Sequence, residues 1–325
     1  MSSRRTGGNG DPPSGGRRRG LAWLAPVAAA SLVLAGCSTA ASGSGTSALP
    51  TGRRVAYVGS GSGWVPFNLV THSVSRAIPF SWRGSAAVVA PDGRTAYATT
   101  DSGIVSVNLV TGTLGKIIFK GDFCSSIALG NQGRTLYLAD CGDGPGIPTS
   151  ILPVDVKTGV AGAPIEVPGG PVGIFIAPNG RTAYALTDGD ATLTPVDLAT
   201  GMTGSVITVP EGVDEMAFSP DGTMAYATGS SDDVVDGKQY SYVTPINLMT
   251  GVPEQPIALL HDPYGIVVSP DGRTAYVTGG NVPIGSVGPP TPPDVTSINL
   301  ASGRIGATYS IPGGAGTIFN VTSAA

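Results

Sequence analysis

Between residues 51 and 321 the chain alternates short apolar runs with clusters of glycine, proline, asparagine and aspartate. Within runs such as TAYAL (182–186) and TLTPVDL (192–198), large apolar side chains alternate with small or polar ones. That period of two is the signature of half-buried strands, and the clusters between runs carry the turn chemistry of hairpins. The pattern repeats as a unit of four strands. Strand A is the run before a Pro-Asp-Gly turn, as in GIFIAP (173–178), and strand B holds a tyrosine, as in TAYAL. Strand C ends on Asn or Asp, as in TLTPVDL, and strand D follows a Thr-Gly turn, as in SVITV (205–209). Asp-Gly and Asn-Gly suit tight turns because glycine and asparagine tolerate positive φ.

Two anchors fix the repeat. The strand-B tyrosine recurs at Tyr57, Tyr97, Tyr137, Tyr184, Tyr226 and Tyr276, and the residue closing strand C at Asn68, Asn108, Asp155, Asp197, Asn247 and Asn299. From each closing residue to the next tyrosine the distance is always 29 residues, whereas from tyrosine to closing residue it runs 11, 11, 18, 13, 21 and 23. All length variation therefore falls in the B–C connection. Units of about 40 residues with four strands each read as propeller blades.

The turns PDGRTAY, NQGRTLY, PNGRTAY, PDGTMAY and PDGRTAY, and above all SPDGRTAYVT (269–278), resemble the YVTN-repeat β-propeller family. That resemblance covers residues 51–321 and implies a repeat class, not one activity; lipoproteins, surface proteins, lactonases and lyases are found among such propellers. The expected fold is all-β, a single propeller of six four-stranded blades, with seven blades as the alternative because the family is often seven-bladed. The first unit begins at strand B and has no strand A of its own. GTIFNV (316–321) aligns with GIFIAP, so the C-terminus is expected to supply strand A to the first blade and close the ring.

The first fifty residues have a different character. Arg17, Arg18 and Arg19 precede an apolar run, Leu21 to Ala35, followed by LAGC (34–37). A basic segment, a short apolar core and small residues before a cut site make a secretory signal, too short for a comfortable membrane span. The LAGC tetrapeptide resembles the bacterial lipobox, which implies lipidation of Cys37. An uncleaved anchor with an incidental cysteine is the other reading. The expected organisation is signal peptide 1–36, lipidated Cys37 and flexible tether 37–50, and propeller 51–325. The expected location is the outer surface of a bacterial cytoplasmic membrane. Beyond the signal the chain carries 13 Lys and Arg against 21 Asp and Glu, a balance of 13 − 21 = −8. That sign disfavours nucleic acid as a partner; an envelope protein, a glycan or a small polar ligand, met by a monomer, fits better.

In a four-stranded meander the A–B and C–D turns share one face, and the B–C and D–A connections share the other. The first face is short and uniform. The second carries the variable loops and most acidic residues, among them Asp214 and Glu215, so binding is expected there. Aligned D–A segments give WRGS, DFCS, GGPV, EGVD, HDPY and GGAG. They nominate Trp82, Arg83, Asp122, Phe123, Glu211, Asp214, His261, Asp262 and Tyr264 as residues converging on the channel mouth. Such a set suits a small polar ligand or a divalent cation; a polar rim around a water-filled channel is the plainer reading. His72, replacing a turn glycine, reads as a solvated surface residue.

No nucleophile elbow, HExxH or phosphate-binding glycine loop is present. An enzyme of lactonase or lyase type, with His261 and Asp262 at the channel, is the rival to a binding module, and no cofactor is indicated. Cys124 opens a strand A and Cys141 closes the strand B hairpinned to it. In an exported protein a disulfide is expected there, with two free thiols as the alternative.

Overall fold

A computed structural model describes residues 54–79, 86–120, 124–141, 150–187, 191–235, 238–259, 261–279 and 294–320. Six sheets account for almost all of them. Blade one contains β1 (Val55–Ser60) and β2 (Gly63–Asn68). Blade two is β3 (Ala87–Val89), β4 (Thr95–Thr100), β5 (Gly103–Asn108) and β6 (Thr113–Phe119). Blade three is β7 (Cys124–Gly130), β8 (Thr135–Cys141), β9 (Ser150–Asp155) and β10 (Ile165–Glu166). Blade four is β11 (Pro171–Ile176), β12 (Thr182–Thr187), β13 (Thr192–Asp197) and β14 (Ile207–Thr208). Blade five is β15 (Val213–Phe218), β16 (Met224–Val235), β17 (Lys238–Asn247), β18 (Val252–Pro253) and β19 (Ile257–Leu259). Blade six is β20 (Pro263–Val268), β21 (Thr274–Gly279), β22 (Asp294–Asn299) and β23 (Arg304–Tyr309). The last strand, β24 (Ile318–Asn320), pairs antiparallel with β1 and completes blade one, Phe319 lying opposite Tyr57. The outer strand of blade one is reduced to two bridges, Trp64 with Ile78 and Phe67 with Val74. Among the described residues the one helical element is a 3-10 turn, Asn131–Gly133.

The blades close into a ring. Their innermost strands touch in the cycle β24, β3, β7, β11, β15, β20 and back to β24. The core is correspondingly divided into six apolar clusters, one at each junction between blades. The strand-B alternation explains how they fill. In TAYA-type strands the tyrosine faces the next blade while the small residues beside it face the previous one. Tyr57 thus packs with Ala96 and Ala98, Tyr137 with Ala183 and Ala185, and Tyr184 with Ala225 and Ala227. A tyrosine buries a large apolar area, and an alanine pair across from it makes room without a void.

Both turn motifs serve the same junctions. In the A–B turn the carboxylate of Asp92 accepts hydrogen bonds from the backbone N–H of Arg94 and Thr95, and Asp271 accepts from Arg273 N–H and the Ser269 hydroxyl. Gly272 sits at φ +71 in that turn, and a Cβ there would lie 3.2 Å from Pro220 of the preceding blade's turn. Pro91 and Pro178 meet Gly133 and Gly222 of the next blade in the same way. The C–D turn is capped by the residue that closes strand C: the Asp155 carboxylate accepts from Lys157 and Thr158 N–H and from the Thr158 hydroxyl. These hydrogen bonds hold Asp155 below the usual carboxylate range, as the matching ones from Thr200 hold Asp197. The glycines of the C–D turns lie against the outer strand of the preceding blade, Gly201 on Ile165, Gly251 on Ile207 and Gly303 on Ile257.

One junction differs. Where blade six meets blade one, His72 takes the glycine position at φ 58 and its ring stacks on Tyr309, centroids 4.7 Å apart. Its Nε2 lies 2.7 Å from the Tyr276 hydroxyl, which itself donates to the Leu69 carbonyl. His72 is exposed, as its turn position suggests, but it is also part of the seam that closes the ring.

Candidate functional site

The six innermost strands are each the last strand of their sheet, so each turns an unpaired backbone edge toward the ring axis. They enclose a cavity of about 630 Å³. It runs from the level of Asp214 to the proline turns at Pro178, Pro220 and Pro270. It is bordered by the half-buried Phe218 and by Val88, Ile127, Leu129, Ile174 and Met216, whose side chains also fill the junctions between blades; backbone and apolar groups share its surface. The ionisable side chains among the described lining residues are Asp214 and Glu215, with no Lys, Arg or His.

Register across the blades shows how unusual Glu215 is. The strand-B tyrosines pair with Phe319, Val88, Ala128, Phe175, Ala217 and Val267. Two residues upstream of these, on the side of the variable loops, stand Thr317, Ala86, Ser126, Gly173, Glu215 and Gly265. Five of the six are small. At Gly265 a Cβ would fall 2.9 Å from the Ile318 backbone nitrogen, so the close approach of β20 to β24 excludes a side chain there. The Ser126 hydroxyl accepts a hydrogen bond from Ile174 N–H, tying β7 to β11 at the same level. Glu215 alone projects bulk and charge from this ring.

Its environment follows from that placement. Part of its surface is open to the lumen, yet protein surrounds it. Burial first, and the neighbouring Asp214 carboxylate second, push the Glu215 carboxyl up from 4.5 to about 7, against a hydrogen bond from Met216 N–H that favours the charged form. Asp214 occupies a bulge in the β15–β16 pairing, between Val213 and Glu215, and is exposed at the mouth. The bulge is reached through Gly212, at φ +75, whose missing Cβ would lie 2.0 Å from the Ser230 carbonyl oxygen. Tyr264 holds the equivalent bulge position in blade six and is 45% exposed.

The remaining nominated residues are distributed differently. Trp82, Arg83, Asp122 and Phe123 lie outside the described residues. Glu211 is exposed, and its backbone carbonyl accepts a hydrogen bond from the Tyr242 hydroxyl. The Asp262 carboxylate accepts from the Ser241 hydroxyl at 2.6 Å. His261 lines a separate cavity of about 250 Å³ with Leu259, Val277, Asp294, Thr296 and Thr308, and its Nδ1 is buried without a hydrogen-bond partner. The imidazole and the channel carboxyls therefore line different cavities. Among the described residues no three His, Cys, Asp or Glu side chains are grouped as metal ligands. Cys124 and Cys141 are direct cross-strand partners in the β7–β8 register, with side chains outside the described set. Cys37 also lies outside it, and no helix of the described residues is long and apolar enough to cross a membrane.

Sequence reading placed Glu215 among the acidic residues of the variable face and not in the channel. Aligning the A strands column by column would have shown one glutamate in a column of Ala, Ser, Gly and Thr.

The fold and the axial channel define a six-bladed β-propeller. No family model matches the chain, and no curated protein matches it. Among solved structures it is similar to hydrazine synthase of Kuenenia stuttgartiensis, with a TM-score of 0.56 and 22% identity over 69% of this chain. The match spans 65% of that chain's length. At that identity the likeness carries the fold alone, and the 1372 solved chains that match mark the fold as widely used.

Proposed function

We propose that this chain is an exported, lipid-anchored propeller of the YVTN-repeat type that works as a binding module through its variable-loop face. The observation that carries the reading is the β16–β17 pair. Beyond Gly229, where the inner strand β15 stops pairing, β16 and β17 continue together through Ser230 with Ser241 to Val235 with Lys238. A hairpin standing past a rigid ring, on the face where the channel opens at Asp214, is a recognition element on a fixed scaffold. The basic segment, apolar run and LAGC support export and lipidation at Cys37. The uncharged stretch 38–50 supports a tether with a reach of roughly 20 Å. The facing positions of Cys124 and Cys141 support a disulfide that pins strand A to strand B at the rim; thiol alkylation of the unfolded, unreduced protein would leave both unlabelled. The partner is an envelope protein, a glycan or a small polar ligand, and the propeller acts as a monomer.

The test is capture from an envelope extract by two forms of the chain, the natural one and one with residues 231–238 replaced by a two-residue turn. The natural form retains a component that the shortened form loses, while both elute as folded monomers. Equal retention by both forms removes the reading.

A further inference from the structure

We propose that the axial channel is a binding site for a small organic cation, an ammonium group carried on an apolar body. The charge lies against Glu215 and the body lies in the lumen, beside Phe218 and the bordering edges of Ile127, Ile174 and Met216.

Four features point the same way. A cavity of about 630 Å³ matches the size of small-molecule sites, which combine an apolar wall with a few placed polar groups. The only ionisable groups among the described lining residues are carboxyls, so an anion is repelled and a neutral ligand leaves the enclosed carboxyl uncompensated. The five positions level with Glu215 are Thr317, Ala86, Ser126, Gly173 and Gly265, so no second charged or large side chain at this level competes for the carboxyl. The unpaired edges of the inner strands present backbone carbonyls to the lumen, and an ammonium has three N–H donors to share between these and the carboxylate. A hard metal ion fits less well. Among the described residues no three His, Cys, Asp or Glu side chains are grouped to hold one.

The proton balance is simple. Glu215, held up to about 7 by burial and by Asp214, is partly protonated at neutral pH. An arriving ammonium favours the carboxylate, so the carboxyl proton leaves to solvent; no other bond is made or broken. Asp214 is the charged group among the described residues that acts on Glu215.

The test uses the purified full chain and two probes with the same body, 2-phenylethylammonium and neutral 2-phenylethanol, in titration calorimetry. The amine binds at least tenfold more tightly than the alcohol. Its affinity is about thirtyfold weaker at pH 5.5 than at pH 8, following the ionised fraction of a carboxyl titrating near 7, while the alcohol's is flat. In Glu215→Gln the preference for the amine and its pH dependence both disappear. Equal affinity for the two probes in the natural chain, absence of amine binding at millimolar concentration, or an unchanged preference in Glu215→Gln overturns the proposal. The first comparison needs no variant, so it decides even if Glu215→Gln folds poorly. Shortening the β16–β17 hairpin leaves amine binding intact, which separates this site from the loop-face reading.

Discussion

Replacing Glu215 by glutamine makes the natural pH dependence of stability measurable against a variant that lacks its source. The folded-state carboxyl titrates near 7 and its ordinary value is 4.5. A raised acid binds its proton more tightly in the folded state, so its stabilising contribution is complete below 4.5 and is lost as pH rises through 7. The full contribution is ~3 kcal/mol, of which roughly 2.5 kcal/mol disappears between pH 5 and pH 8. The turn carboxylates Asp155, Asp197, Asp221 and Asp271 are all shifted downward by their turn hydrogen bonds. Being ionised in folded and unfolded chains alike above pH 5, they add no slope in this window. Glutamine is isosteric with the neutral acid, so the two proteins have similar stability near pH 4.5, and Glu215→Gln is the more stable at pH 8. In thermal melts that gap is on the order of 5–10 °C for a domain of this size. Urea unfolding at half-unit pH steps from 5 to 8, followed by tyrosine fluorescence, gives the difference directly and cancels every other titrating group. Parallel curves for the two proteins across this range would refute the placement of Glu215 in an enclosed channel.

Ending the chain after Ser310 removes β24, and with it the buried Ile318 and Phe319 from the two clusters flanking blade one. Their loss forfeits about 3–6 kcal/mol of burial and opens the ring, so cooperative unfolding disappears; a soluble, cooperative truncation would contradict closure by this strand. Gly159 and Gly201 share a positive φ, 73 and 71, but a Cβ at Gly159 falls 2.3 Å from the Ile118 carbonyl oxygen while one at Gly201 meets only Ile165 at 3.7 Å. Both alanine variants lose about 1 kcal/mol to backbone strain, and Gly159→Ala loses about 1–3 kcal/mol more from overpacking, measured by denaturant unfolding. His72→Gly and Tyr309→Ile restore, as a pair, the glycine–isoleucine contact of the other junctions. The double variant is therefore more stable than the sum of the singles by at least ~0.5 kcal/mol, and strict additivity would show that the two residues do not substitute for that contact.

The constant 29-residue interval was the most legible feature of the sequence, and the structure gives its cause. The stretch from Asp197 to Tyr226 contains a C–D turn, an outer strand, an inner strand and an A–B turn, and both turns bear on the preceding blade, Gly201 on Ile165 and Gly222 on Pro178. An insertion in either turn would push adjacent blades apart and break the ring. The B–C connections lie at the opposite end of the strands from both of these turns, so length accumulates there. Strand count and closure followed from the same local chemistry of alternation, Asx capping and glycine turns. What escaped the sequence were properties created when distant strands meet. Glu215 reads as one more acidic residue until six inner strands are brought into register and the other five positions prove to be small. His261 sits at the offset that should reach the channel mouth. Offset along the chain does not say which cavity a side chain enters, and His261 lines the one beside β22 and β23. His72 breaks the repeat where an αL glycine is expected, and its explanation lies on blade six, where Tyr309 replaces the usual isoleucine. In blade one the inner strand β24 meets β1 through hydrogen bonds alone, where each other blade has an A–B turn between these two strands. A departure from the repeat found there, enlarging the contact between blades six and one, is where extra cohesion contributes most to keeping the ring shut.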